Sequence, residues 1–383
     1  HAGGEGGGVC ALAAALVHTS TISDNTAKGD AGGIRAAADL ILTLSTVSGN
    51  SSQGFGGGIF ADGDLDMTLS TVSGNSAGGP GGGVLTLGAA SVERSTLDGN
   101  EAADVGGALL AWGAVEISNS TLAANTARGG GAVSTMGEAA VLSSTFYQNQ
   151  ATEGGAHLAV GGDITLANNI LAGGTGLTGD CWWTNGTSTL GANLVQSGDC
   201  GAAVAGDPLL GPLGDYGGAT RTFSLLRGSP AVDAGDACPA TDQRGMSRPA
   251  GAGCDLGAFE ARMPWALTNP PPPTAVDGTS ATVGGHVRSF DGTAAVSCDV
   301  GVDTDYGASV QATPAEVTGG EEATPVSCTF TGLTPNTTYH YRVVAAGAGG
   351  TADGGDWTFT TTLLPPAAVT GAATQVTAAE ATV

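Results

Sequence analysis

Residues 45–75 read STVSGNSSQGFGGGIFADGDLDMTLSTVSGN, and the segment that closes the stretch repeats the one that opens it. Ser45-Thr46-Val47 followed by Asn50 returns as Ser70-Thr71-Val72 followed by Asn75. Extended outward, the series is Asn25, Asn50, Asn75, Asn100, Asn125 and Asn149, at intervals of 25, 25, 25, 25 and 24 residues. Each Asn is preceded by a Ser-Thr-apolar triplet, from Ser20-Thr21-Ile22 to Ser144-Thr145-Phe146. Each is followed by a glycine cluster and an apolar residue, as in Gly56-Gly57-Gly58-Ile59 and Gly81-Gly82-Gly83-Val84. Such a period is the signature of a stacked repeat.

Apolar residues alternate within the unit, as in Val115-Glu116-Ile117 and Ile164-Thr165-Leu166, which is strand periodicity. No ten-residue stretch carries helical spacing, and the leucine spacing of leucine-rich repeats is absent. Two or three short strands in about 25 residues suit one coil of a β-solenoid. Stacked coils lie about 4.8 Å apart, so equivalent positions form columns. Ile22, Val47, Val72, Leu97, Leu122 and Phe146 are expected to line the interior, with Thr21 to Thr145 as an outward column beside them. The Asn column marks a turn, where Asn tolerates left-handed backbone and its amide can bond above and below. Parallel connections predict a right-handed coil.

The 383 residues include 67 glycines, only 5% aromatics and 41% apolar residues, so the core must be built from small aliphatic side chains. Acidic residues outnumber basic ones 35 to 11, and a net charge of −24 repels phosphate backbones. Nucleic acid is therefore not an expected partner. No apolar run is long enough to span a bilayer, so membrane insertion of this segment is not expected either. The chain opens at His1 inside a glycine-rich repeat and without a signal peptide, which suggests processing or a piece of something longer.

Cys181 and Cys200 bracket one loop, Cys238 and Cys254 a second, and Cys298 and Cys328 a third. Three local disulfides suit an oxidising compartment, secreted or at the cell surface. The alternative is reduced, buried thiols in the cytosol. Cys10 is left over, either buried and free or paired outside this segment.

The repeat S-T-φ-x-x-N-x-A followed by G-G-G-φ resembles the β-helical repeats of bacterial surface and autotransported proteins, including polymorphic outer-membrane proteins. Asp207-Pro208-Leu209-Leu210-Gly211, Gly228-Ser229-Pro230-Ala231-Val232-Asp233-Ala234-Gly235 and Cys254-Asp255-Leu256-Gly257-Ala258-Phe259-Glu260 resemble the closing region of predicted bacterial surface proteins with choice-of-anchor domains. These resemblances cover roughly residues 1–262 and imply an extracellular β-helix without implying an activity. Gly332-Leu333-Thr334-Pro335-Asn336-Thr337-Thr338-Tyr339-His340-Tyr341-Arg342-Val343 resembles a fibronectin type III module, with Tyr339 as its corner tyrosine.

The expected organisation is therefore all-β. A right-handed parallel β-helix occupies 1–170, with irregular last coils and a disulfide-containing C-terminal cap at 171–262. There Asp242, Arg244 and Asp255 serve as internal ion-pair or turn residues. A stiff proline linker follows at 263–273 and a fibronectin type III-like β-sandwich at 274–362. Residues 363–383 repeat the start of that module, as a first strand of a second one or as an intermolecular strand. No cap precedes the first coil, so more coils or a neighbouring molecule are expected there.

β-Helices host polysaccharide-cleaving enzymes, so the ionisable groups bear on catalysis. Within 1–170 the basic groups besides histidine are Lys28, Arg35, Arg94 and Arg128. Lys28 and Arg128 would share an edge but lie four coils, about 19 Å, apart. Asp62-Gly63-Asp64-Leu65-Asp66 is the densest acidic run; Asp64 and Asp66 would face one side and could bind calcium, or simply form a solvated turn. No other cofactor is expected. His1, His18, His157, His286 and His340 lack metal-ligand spacing. Trp182-Trp183 either stacks on a sugar or fills a cap core. The expectation is a noncatalytic structural or adhesive surface protein that self-associates head to tail or binds other surface proteins. A polysaccharide lyase, hydrolase or carbohydrate-binding protein is the alternative.

Overall fold

The computed structural model describes residues 4, 6–184, 186–197, 200–201, 204–320 and 322–366, with positions 371, 375–376 and 381–382 beyond them. It contains a parallel β-solenoid and an antiparallel β-rich region after it, and no helix among the described residues. Each regular coil uses four short strands rather than the two or three expected. Wall 1 stacks eight strands from Val9–Ala11 through Ile59–Ala61 to Cys181–Trp183. Wall 2 runs from Ala15–His18 to Ser188–Leu190, and wall 3 from Thr21–Ser23 to Asn193–Val195. Wall 4 has six two-residue strands from Thr26–Ala27 to Gln150–Ala151. Registers are in phase with the repeat: Thr21, Thr46, Thr71, Thr96, Thr121 and Thr145 lie side by side.

Ile22, Val47, Val72, Leu97, Leu122 and Phe146 form a buried column facing equally buried residues of walls 1 and 2, such as Ile59, Leu109, Met67 and Ile117. Period-two alternation puts these chains inside, and their small volumes let the walls close without aromatics. The corners carry polar ladders. The Oδ1 of Asn75 accepts the backbone N–H and the side-chain Nδ2 of Asn50, at 2.9 and 3.0 Å. The Asn75 Nδ2 in turn donates to Val47 O and to Asn100 Oδ1, both at 3.0 Å. The pattern runs from Asn25 to Asn149.

The asparagines themselves do not adopt left-handed backbone, contrary to expectation. The residue before each does: Asp24, Gly49, Gly74, Gly99, Ala124 and Gln148 all have positive φ. A second ladder that the sequence reading passed over occupies the other corner of wall 3. Ser45 N donates to Ser70 Oγ, Ser70 N to Ser95 Oγ and Ser95 N to Ser120 Oγ, each at 3.1 Å. Each hydroxyl donates back to the carbonyl two residues earlier. Ser144 passes this ladder to Asn169 and Asn193.

Residues 171–262, expected as irregular last coils and a C-terminal cap, form a last coil and then a strap. Three walls continue through Cys181–Trp183, Ser188–Leu190 and Asn193–Val195, and the Cys181–Cys200 disulfide closes this last coil. Residues 205–261 then fold back as a strap along the outside of wall 3. The Thr column points outward but is solvated only at its start; Thr96, Thr121 and Thr145 are buried beneath the strap. Gln243 is the central contact: its Nε2 donates to Thr96 Oγ1 and Thr220 Oγ1 at 3.1 and 2.9 Å, and its Oε1 accepts from Thr121 Oγ1 at 2.7 Å. Arg221 pairs with both oxygens of Asp98 at 3.0 Å, and Ala258 N donates to Thr145 Oγ1. Tyr147 meets Phe223 edge to face, while Ile170, Leu225, Leu256 and Phe259 share a second apolar core.

The strap is internally fixed by Cys238–Cys254 and a buried ionic cluster. Arg244 pairs with Asp242 at 2.7 Å and lies over the Phe259 ring. Arg248 reaches Glu260 at 3.4 Å and donates to Asp255 O and Gly257 O. Asp255 accepts the Asp233 and Ala261 N–H groups, and its burial pushes its carboxyl up to about 7.

The expected linker is also revised. Trp265–Thr268 pairs antiparallel with Ser280–Arg288, so the prolines at 270–273 interrupt the first strand of the antiparallel region instead of preceding it. Ala275–Val276 resumes that edge, where a missing N–H costs no central ladder bond. Ser280–Arg288 pairs with Thr324–Thr331. The opposite layer orders Ala308–Gly320, Phe290–Gly301 and Thr338–Gly347, with Gly350–Asp353 and Trp357–Thr360 both on the last. Val283, Val296, Phe330, Tyr341 and Val343 fill the space between, and Cys298–Cys328 ties the layers. Of residues 363–383, 367–370, 372–374, 377–380 and 383 lie outside the described set; Gln375–Val376 pairs antiparallel with Ala381–Thr382.

Two substitutions probe these contacts. Asn75→Ala strands the buried Asn50 N–H and Nδ2 donors and is expected to cost about 2–4 kcal/mol, more than Asn25→Ala at the exposed first coil. Denaturation midpoints compare the two. Gln243→Ala is expected to expose residues 205–261 to limited proteolysis while the coils stay protected.

Candidate functional site

Wall 1 carries an outward column fixed by register: Cys10, Arg35, Phe60, Leu85, Leu110, Ser134, Ala159 and Trp182. In the early coils large chains fill the trough outside this wall. Arg35 lies over the Phe60 ring and pairs with Asp62 at 2.6 Å; Phe55 meets Phe60 edge to face. Phe60, Leu85 and Leu110 share a small separate cluster with Ala31 and Val105. At Ser134 and Ala159 the column shrinks, and a trough of about 560 Å³ opens over the last three coils. Met136, Gly161 and Thr184 line it together with Arg128 and Glu153; Trp182, 44% exposed, stands at its end. Trp183, by contrast, packs against the solenoid core.

Arg128 belongs to this trough. It pairs with Asp104 of the preceding coil at 2.7 Å and lies 3.9 Å from Glu153 of the following one. Three successive coils thus contribute a carboxylate, a guanidinium and a carboxylate. Lys28 lies at the far end of the shaft and does not line the trough.

In the acidic run at 62–66, Asp62 turns away, while Asp64 and Asp66 line one shallow recess together with Asp39 and Glu116. Asp62 pairs with Arg35, Asp64 Oδ1 accepts Ala89 N–H of the next coil at 2.8 Å, and Asp66 points to solvent. Asp39 does for Asp64 N–H what Asp64 does for Ala89. No group of three or more His, Cys, Asp or Glu suited to a metal occurs among the described residues.

His157 is the polar group that the sequence reading left without a role. It stands in the column of Gly33, Gly58, Gly83, Ala108 and Ala132, and it is wholly buried. The ladder position after Asn149 is Gly174, and the imidazole occupies the space a side chain there would need. Asn149 Nδ2 donates to Leu122 O and to His157 Nδ1, at 2.9 and 3.0 Å. Nδ1 is therefore the acceptor and Nε2 carries the hydrogen; it faces Asp180 Oδ1 at 3.4 Å. Burial pulls His157 down to about 3 and pushes Asp180 up to about 6. The sequence signal was a glycine at the ladder position together with one large polar residue in a Gly/Ala column.

The remaining positions are structural. Cys10 is a free, exposed thiol. His340 Nδ1 bonds Asp356 Oδ2 at 2.7 Å, beside Tyr306, whose phenol is pushed up to about 12 by burial and its bond to Asp356. Tyr339 OH accepts the Thr334 N–H at 3.0 Å.

Comparison with known proteins adds one short match. Residues 45–62 match the Chlamydia polymorphic membrane protein repeat. No curated protein matches the chain. Solved structures with local similarity include the sensor domain of the anti-sigma factor RsgI4 of Pseudobacteroides cellulosolvens. A short version is 20% identical over 26% of this chain and 96% of that one, with a TM-score of 0.22. A long version is 20% identical over 28% and 98%, at 0.21. A solution structure is 18% identical over 31% and 90%, at 0.21. At these scores the likeness carries no argument.

A pH series on His157→Gln tests the buried pair. A histidine depressed to about 3 contributes stability that is full above its unfolded value near 6.5 and is lost as pH falls. Asp180, raised to about 6, acts in the opposite sense, so in the native chain the two slopes offset between about pH 4 and 6. The variant keeps only the Asp180 slope. Its deficit in urea midpoint relative to the native chain is expected to be largest above pH 6.5 and to shrink on acidification; a constant deficit would exclude a neutral buried imidazole.

Proposed function

We propose that this chain is a noncatalytic, extracellular adhesive or scaffolding protein of a cell surface. The observation that carries the reading is the match of residues 45–62 to a repeat of polymorphic membrane proteins, set in a solenoid whose coils repeat that unit in register. The Asn and Ser ladders and the filled apolar columns suit a stiff presenting shaft. Three disulfides, at Cys181–Cys200, Cys238–Cys254 and Cys298–Cys328, suit an oxidising location.

The antiparallel module reads as fibronectin type III-like, a spacer or docking unit. Its strand order and the Tyr339–Thr334 bond near the start of Thr338–Gly347 support that reading. Partners on this reading are further copies of the chain or other surface molecules. Concentration-dependent sedimentation reads self-association.

The alternative, a polysaccharide-cleaving enzyme, is favoured by one feature, the Asp104–Arg128–Glu153 line beside the Trp182 trough. Incubation with acidic and neutral polysaccharides, followed for reducing ends and unsaturated products, is expected to yield neither; product formation defeats the noncatalytic reading. Beads coated with the chain are expected to bind cells or one another, and inert beads defeat the adhesive reading. Alkylation without reductant is expected to label Cys10 alone among the seven cysteines.

A further inference from the structure

We propose that the trough over Ser134 and Ala159 is a binding groove for a neutral glycan chain. This inference rests on the adhesive reading and names its ligand class. The first ground is the trough itself. One column fills its space with Phe60, Leu85 and Leu110 in the early coils, then drops to Ser134 and Ala159, which line the trough. The resulting volume of about 560 Å³ is in the range of small-ligand clefts. It extends along the shaft over three coils.

The second ground is the chemistry of the lining. A sugar ring is amphipathic, with C–H faces and hydroxyl edges. Trp182 offers an indole at the groove end, and Met136 and the half-buried Val105 offer apolar surface. Hydroxyls of Thr178 and Thr184 and the charged groups of Arg128 and Glu153 lie among them. The lining is mainly apolar with a few polar groups among it, which suits the C–H faces of sugar rings, with stacking at the Trp182 end and hydrogen bonds to the hydroxyl edges.

Charge decides between neutral and acidic glycans. Arg128 already faces Asp104 and Glu153, at 2.7 and 3.9 Å, so it has no surplus charge to offer a uronate. The rest of the chain carries a net −24, a field that repels polyanions.

The experiment titrates the full chain with neutral oligosaccharides (cello-, xylo- and manno-series) and with oligouronates, read by calorimetry and tryptophan fluorescence. Binding of a neutral series is expected, weakened more than tenfold in Trp182→Ala, as for an aromatic anchor that its ligand covers. Ala159→Leu refills the trough as Leu85 and Leu110 do upstream; it is expected to abolish binding with the melting temperature unchanged or raised. Trp357→Ala, an exposed tryptophan of the antiparallel module, is expected to bind as the native chain does. No binding, binding of uronates alone, or affinity indifferent to Trp182→Ala overturns the proposal. If Ala159→Leu fails to fold, Trp182→Ala still decides. Beads that adhere without any glycan binding would sink the groove and leave the adhesive reading. Glycan shortened during titration would sustain the groove and sink the noncatalytic reading.

Discussion

Everything in the shaft depends on a side-chain amide that is donor and acceptor at once. A buried Asn takes two N–H groups from the coil on one side with its oxygen, and gives its own two hydrogens to a backbone carbonyl and to the next Asn. Nothing in the corner is left unpaired, which is the condition for burying polar groups at all. The Ser ladder does the same at lower valence. Each link spans one coil, and the 24-residue coil from Asn125 to Asn149 keeps both bonds at 2.9 Å, its missing residue taken up in the loop ahead of Val133 and not at the corner. The walls inherit their register from these corners, and the apolar columns inherit theirs from the walls.

The ends of such ladders need their own chemistry. At Asn149 the next Asn is replaced by Gly174, and His157 reaches from a column of small residues to accept the stranded amide hydrogen. Its second nitrogen faces Asp180 Oδ1 at 3.4 Å, and the two atoms make no hydrogen bond. The polar group is therefore a substitute link, and the burial of the pair explains why each is held toward its neutral form.

Periodic features were legible in the sequence, and features made by long-range contact were not. Asn50 and Ser45 recur at fixed spacing, so coil length, the inward column and the outward Thr column could be read from the spacing alone. The strap could not. Thr96 meets Arg221, and Thr121 meets Gln243, across more than a hundred residues with no period to announce them. The trough was hidden for a different reason: it is defined by what Ser134 and Ala159 lack relative to Leu85 and Leu110. Prolines 270–273 concealed the strand Trp265–Thr268, since a break within an edge strand reads as a linker. Trp182 was visible as a residue, but its exposure at the end of an open channel required the neighbouring coils.

The strap also sets how the molecule carries load. The antiparallel module follows the strap directly, and the strap grips the shaft from Arg94 to Asn168 through Gln243, Ala258 and Gly257. A pull on that module enters the flank of the solenoid and is resisted in shear by many parallel bonds. The terminal coil is spared from peeling one rung at a time. With the shaft gripped in this way, a pull would load the strap's contacts along wall 3 before the closing coil held by Cys181–Cys200.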